Sequence, residues 1–164
     1  MRQFFILISL LFFLVPQLSI AQAIRYDTPS KLPVPRFVSM RFNVVNGRAG
    51  PDEDYPIRFV YKQAGLPVKV IAETIDWRKI EDPDGTQVWV HKRNLDSKRT
   101  LIIRPSQKGA THVMLYNKNT QNNKVIAKIA SGSICEILDA QEGWRKIKIG
   151  NYTGWIIAID AWAS

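Results

Sequence analysis

The sequence predicts an all-β chain of two small tandem barrels packed together, and three observations carry that prediction. First, Trp77-Arg78-Lys79-Ile80 and Trp144-Arg145-Lys146-Ile147 repeat one tetrapeptide 67 positions apart, each followed by a turn and a second tryptophan, Trp89 or Trp155. The match extends outward, since Gly65 and Gly132 each lie twelve residues before their tryptophan, and Leu95 and Trp162 each lie eighteen after. Second, apolar and polar residues alternate over short runs in both copies, the period of a half-buried strand. Third, no run of helical periodicity has useful length, and turn residues punctuate the alternating runs. Modules of roughly 55 to 65 residues are near the lower size limit for independent folding, so each is expected to lean on its tryptophans and its neighbour.

The elements follow in chain order. Arg2, a largely apolar run from Phe4 to Val15 and then Ala21-Gln22-Ala23 have the layout of a secretory signal peptide cut after Ala23. The run is well short of the roughly 20 residues a membrane-spanning helix needs, so the mature chain is expected to carry no integral membrane segment. That layout places the protein outside the cytoplasm. From Ile24 to Pro35 the spacing of Pro29, Pro33 and Pro35 rules out helix and central strand and predicts an extended lead-in. The first module opens with Arg36 to Met40. In Pro67 to Thr74, Val68, Val70 and Ala72 alternate with Lys69, Ile71 and Glu73, which predicts a strand with one wet face. Trp77 to Glu81 and Gln87 to His91 flank Asp82-Pro83-Asp84-Gly85, a turn suited to a hairpin. Arg99 to Ile103 reads as one more strand of this module. The second module repeats the order: strands at His112 to Tyr116 and Val125 to Ala130, a long strand at Ser133 to Asp139, and a hairpin of Trp144 to Ile149 and Tyr152 to Ile156 around Gly150-Asn151. The expected divisions are residues 1–23, 24–35, 36–104 and 109–164. Three consecutive apolar residues, Leu101-Ile102-Ile103, would be a liability on a free linker, so the modules are expected to share an interface there.

Composition excludes several functions. The single cysteine, Cys135, cannot form a disulfide within the chain, and its place in an alternating strand marks it as a buried small hydrophobe. His91 and His112 with Cys135 make neither a nucleophilic pair with a supporting motif nor a metal site of recognisable spacing, so no enzyme, cofactor or metal is expected. The formal charge of +9 is uneven: from Lys98 onward ten Lys/Arg face four Asp/Glu. The junction residues Lys92, Arg93, Lys98, Arg99, Arg104 and Lys108 are therefore expected to form a basic surface suited to an acidic partner. Export argues against nucleic acid as that partner.

As a set, Pro35 to Ser39, Gly47-Arg48-Ala49-Gly50-Pro51, Tyr55-Pro56-Ile57, Ala64 to Val68, Trp77 to Ile80, Trp89-Val90-His91 and Leu95 through Thr100 resemble the bacterial Src-homology-3-like domains of secreted proteins. The second module resembles the same family through Gly132, Trp144 to Ile147 and Gly154-Trp155-Ile156, but lacks the Arg-x-Gly-Pro segment and is the degenerate copy. The family usually has an apolar residue where Gly47 stands and glycine where Val88 stands. Arg48, Gly50 and Pro51 are expected to staple a loop, and Trp144 and Trp155 to pack structurally. The resemblance implies a non-catalytic protein of the periplasm or cell envelope that recognises peptidoglycan, its peptides or glycan, through an aromatic groove drawn from Tyr55, Tyr61, Trp77 and Trp89 with Asp52, Glu53 and Asp54. The alternative it leaves open is an adaptor or inhibitor that binds another envelope protein.

Overall fold

A computed structural model describes residues 23–120 and 122–163. The signal-peptide reading of residues 1–22 lies outside them. Among the described residues no helix is long and apolar enough to cross a membrane. The first module holds β1 (Arg36–Met40), β2 (Val45–Arg48), β3 (Ile57–Tyr61), β4 (Pro67–Glu73), β5 (Trp77–Glu81), β6 (Gln87–His91) and β7 (Leu95–Asp96). The second holds β8 (Thr100–Ile103), β9 (His112–Tyr116), β10 (Val125–Ala130), β11 (Ile134–Gln141), β12 (Trp144–Ile149), β13 (Tyr152–Ile157) and β14 (Ala161–Trp162). Each set forms one seven-stranded antiparallel sheet, ordered β3-β2-β6-β5-β4-β1-β7 and β10-β9-β13-β12-β11-β8-β14. The two orders correspond strand for strand, so the duplication legible in the sequence is a duplication of topology.

Each sheet wraps its own core. Met40, Val45, Val68, Val70, Ile80, Val88 and Val90 meet in the first, and Leu101, Ile103, Val113, Leu115, Cys135, Ile147 and Ile156 in the second. Strand alternation accounts for both lists: Val88 and Val90 point inward from β6 while Gln87, Trp89 and His91 point outward. Gly47 and Val88, on neighbouring strands, show why the first module can depart from the pattern of the family it resembles. A Cβ on Gly47 would stand 2.6 Å from Val88 Cγ2, whereas in the second module a Cβ on Gly154 would stand 2.8 Å from Leu115 Cγ. The large and small residues have exchanged strands, and the volume between them is kept.

Four expectations need correction. Residues 100–103 do not close the first module; as β8 they pair with β11, Ile102 opposite Ile134 and Leu101 opposite Cys135, and they open the second sheet as β1 opens the first. The sequence repeat conceals this because the link from Ile103 to β9 is longer than the link from Met40 to β2. The lead-in is not merely extended: Arg25 and Val34 exchange backbone hydrogen bonds of 2.8 and 2.9 Å, and Val34 is buried in the first core. Glu73 does not lie on the wet face with Lys69. A bulge between Val70 and Ala72 shifts the alternation, so Glu73 pairs with Arg78 and its side chain is only 1% exposed. Finally, Leu95 is matched by Ala161 rather than Trp162, because Met40 pairs with Leu95 as Ile103 pairs with Ala161. The shorter hairpin turn of the second copy moves its register by one, and Trp162 takes the place of Asp96.

That one-residue shift helps to join the modules. Trp162 packs edge-on against Phe37 of β1, with ring centroids 5.1 Å apart and planes at 81°. Ser39 Oγ donates to the Lys98 carbonyl at 2.9 Å, and Thr100 Oγ1 donates to the Gly65 carbonyl at 2.7 Å. Leu101 and Ile103 are buried, and Ile102 is half-buried. The junction is thus a packed strand that belongs to the second module, with hydrogen bonds to the first.

Candidate functional site

The outward face of the first sheet is built by β2, β5 and β6. Trp77 pairs with His91 across β5 and β6, Lys79 pairs with Trp89, and Arg48 pairs with Trp89 across β2 and β6. Alternation therefore sets Trp77, Lys79, Trp89 and His91 on one face, with Arg48 beside Trp89. The Trp77 and His91 rings meet edge-on at 5.3 Å and 79°. His91 Nδ1 accepts from the Arg93 amide at 3.2 Å and caps the short 3-10 turn Lys92–Asn94, which fixes the ring. Trp77, His91, Arg48, Asn46 and Glu53 line a cavity of about 200 Å³. Its walls thus carry two guanidinium groups, Arg48 and Arg93, the Glu53 carboxylate paired with Arg93, and the largely buried Trp77 indole, a combination able to receive a small group of mixed charge.

The flanking loop is held as its sequence suggests. Arg48 Nη1 donates to the Tyr55 carbonyl at 2.8 Å, closing the turn that contains Gly50 and Pro51. The Tyr55 ring lies flat over Gly50, where an added Cβ would come within 2.5 Å of it. Tyr55 remains 46% exposed, and Asp54 is exposed with its amide donating to Asp52 Oδ1.

Tyr61 does not join this face. It is 3% exposed in the first core, and its hydroxyl donates to Asp82 Oδ2 at 3.2 Å. Burial, and then the Asp82 carboxylate, push the Tyr61 phenol well above its ordinary range. Asp82 Oδ1 in turn accepts from the amides of Asp84 and Thr86, so the buried pair anchors the β5–β6 turn. Tyr61 instead lines a cleft of about 360 Å³ between the modules, with Phe59, Leu66, Asp82, Ile102 and Arg104. The structure therefore gathers Trp77 and Trp89 on one face and places Tyr61 on another. His91, Phe59 and Ile102 line the cavities without having been singled out as contacts. Their strand positions were legible, but the partner strands were not.

The expected basic surface is largely neutralised. Lys92 pairs with Asp76 at 2.9 Å, Arg93 with Glu53 at 3.4 Å, Lys98 with Glu136 at 3.0 Å, and Arg104 with Asp84 at 2.5 Å across the module boundary. The hydrogen bond from Lys92, and then its charge, lower the Asp76 carboxyl. Arg99 is exposed and in no ion pair of the described residues, and Lys108 is exposed on the link to β9.

A buried charge cluster went unforeseen. Glu73 accepts from Arg36 Nη2 at 2.9 Å and from both the amide and hydroxyl of Ser30 in the lead-in, and it forms an ion pair with Arg78 Nε at 3.1 Å. Burial works against the Glu73 charge, but the Ser30 hydrogen bonds and Arg36 outweigh it and hold the carboxyl at about 2. Burial also lowers Arg78, which Glu73 partly offsets. In the second module Trp144 packs edge-on against Tyr116 at 5.7 Å, and Trp155 pairs with Tyr116 across β13 and β9, which are packing roles. Burial raises the Cys135 thiol to about 12.

Two coupled seven-stranded modules, each with its own apolar core, define a tandem small-barrel protein. The bacterial SH3 domain family matches residues 43–97 and 109–162, and the chain belongs to that family. The chain is also similar to solved structures of NlpC2 and NlpC1 from Trichomonas vaginalis and of an NlpC/P60 family protein from Bacillus cereus ATCC 10987. NlpC2 is 14% identical, with a TM-score of 0.34 over 79% of this chain and 48% of that one. NlpC1 is 12% identical, with a TM-score of 0.34 over 78% and 45%. The Bacillus protein is 11% identical, with a TM-score of 0.34 over 77% and 55%. The chain thus spans about half the length of these structures. No curated protein matches it.

Proposed function

We propose that this protein is a non-catalytic binding protein of the bacterial cell envelope that recognises peptidoglycan peptides on the outward face of its first module. The observation that carries this reading is the cavity where Trp77 stands beside Arg48 and Glu53. A stem peptide presents both carboxylates and amines, which suit a guanidinium and a carboxylate, while its aliphatic parts suit the indole edges of Trp77 and Trp89. Family membership supports the same class of role.

The test is co-sedimentation with purified sacculi at low and at physiological salt. Retention that resists salt, falls at least tenfold in Trp89→Ala and persists in Tyr152→Ala, a change on the exposed end of β13, is the expected result. Absent retention, or retention at low salt alone, would eliminate the proposal. A second reading, an adaptor for another envelope protein, is favoured by the coupling of the two modules through Phe37, Trp162, Thr100 and Arg104 into one docking unit. Crosslinking in the envelope would then recover a protein partner in place of wall fragments.

A further inference from the structure

The duplication allows the buried cluster of the first module to be compared, group by group, with the second. Arg145 faces Ala140 across β12 and β11 as Arg78 faces Glu73 across β5 and β4. The two guanidinium groups are held alike. Arg78 Nη1 donates to the carbonyls of Thr74 and Trp77 at 2.7 and 3.0 Å, and Arg145 Nη1 donates to those of Gln141 and Trp144 at 3.0 and 2.8 Å. Arg99 stands where Arg36 does. Its carbonyl accepts from the Ile137 amide at 3.0 Å, one step beyond the β8–β11 pairing, and Arg36 pairs with Val70 at that same step. Both arginines are therefore kept in the second copy, and the carboxylate between them is not.

The consequence is visible at one atom. Arg78 Nε forms an ion pair with Glu73 at 3.1 Å, whereas Arg145 Nε is buried and has no hydrogen-bond partner; Arg36 Nε also lacks one, but that guanidinium reaches Glu73 through Nη2. A charged donor in that state is costly, and a carboxylate is the group that satisfies it best. Among the described residues no carboxylate lies within ion-pair distance of Arg99 or Arg145. Of the carboxylates nearest in sequence, Glu142 is exposed in the turn between β11 and β12, and Asp139 pairs with Lys146 in the opposite phase, its oxygens accepting from the Ala140 amide and the Gln141 side chain. Ala140, which stands where Glu73 does, is exposed.

We propose that the second module binds a glutamate or aspartate carboxylate of an acidic peptide between Arg99 and Arg145, in the position that the Glu73 side chain takes in the first. A peptide fits because the first module fills this position with a side chain on an extended strand. It also completes the carboxylate's bonding with the amide and hydroxyl of a separate segment, those of Ser30. The site is independent of the Trp77 face and of the cell-wall reading.

The experiment is a titration of the protein with N-acetyl-glutamate amide, with N-acetyl-glutamine amide as the neutral counterpart, read at the arginine Nε–Hε resonances by NMR. The expected result is a saturable shift of the Arg145 signal with the glutamate compound alone. Ala140→Glu supplies the carboxylate within the chain. In that variant the Arg145 signal should lie shifted before any addition, should no longer move, and the thermal midpoint should rise. An Arg145 signal that ignores both compounds, responds equally to the glutamine compound, or still titrates in Ala140→Glu would overturn the proposal.

Discussion

Replacing Glu73 by glutamine tests whether a single buried charge sets the acid stability of the first module. The side chain is 1% exposed between Arg36 and Arg78, and its carboxyl is held at about 2 against an ordinary value of 4.5. At 1.36 kcal/mol per tenfold change, that difference corresponds to about 3 kcal/mol of stability. The folded value lies below the unfolded one, so this contribution is fully present above about pH 4.5 and is lost as the pH falls through 4.5 toward 2. Glu73→Gln keeps the shape and removes the charge, leaving two guanidinium groups close together and poorly compensated, for which a loss of about 3 kcal/mol is expected at pH 7. The assay is urea unfolding at a series of pH values from 7 to 2, followed by tryptophan fluorescence. The wild-type curve should lose about 3 kcal/mol more than the Glu73→Gln curve between pH 5 and 2, so that the two converge in acid. Parallel curves, offset by a constant amount, would refute the reasoning, because the stability would then owe nothing to ionisation of this group.

Three further outcomes follow from the packing. Gly47→Leu alone should cost about 1–3 kcal/mol, since even a Cβ there meets Val88 at 2.6 Å, and Gly47→Leu with Val88→Gly should recover most of it by recreating the Leu115 and Gly154 arrangement; chemical denaturation of the two singles and the double measures the coupling. Trp162→Ala removes the edge contact with Phe37, worth about 0.5–1.5 kcal/mol beyond its buried area, and should speed proteolytic cutting near Ser97 to Arg99; an unchanged digestion pattern would show that the contact does not couple the modules. Cys135 should resist a soluble thiol reagent at pH 8 in the native protein and react at once in denaturant, because burial raises the thiol to about 12.

Much of the architecture was legible in sequence because strands announce themselves by alternation and a duplicated module announces itself twice. The hairpins at Trp77 and Trp144, the core positions Val68, Val70, Ile80 and Ile147, and the loop-stapling role of Arg48 all follow from local pattern. β2 and β3 were harder: they surround the Gly50-Pro51 bend, and Ile57, Phe59 and Val60 are all exposed, which blurs the inward and outward phase. The candidate site was legible only in part. Trp77 and Trp89 could be assigned to one face from their paired strands, but Tyr61 looks no different from them in sequence and is buried on another.

The sequence by itself determined the fold class, the duplication, the positions of most strands and the inert setting of Cys135, because each depends on residues near one another in the chain. Tertiary structure alone decided which module β8 joins, which carboxylates neutralise the junction lysines and arginines, and that a bulge turns Glu73 inward to meet Ser30, Arg36 and Arg78. Those outcomes depend on pairing between distant segments, where a shift of one residue carries every side chain of a strand to its other face.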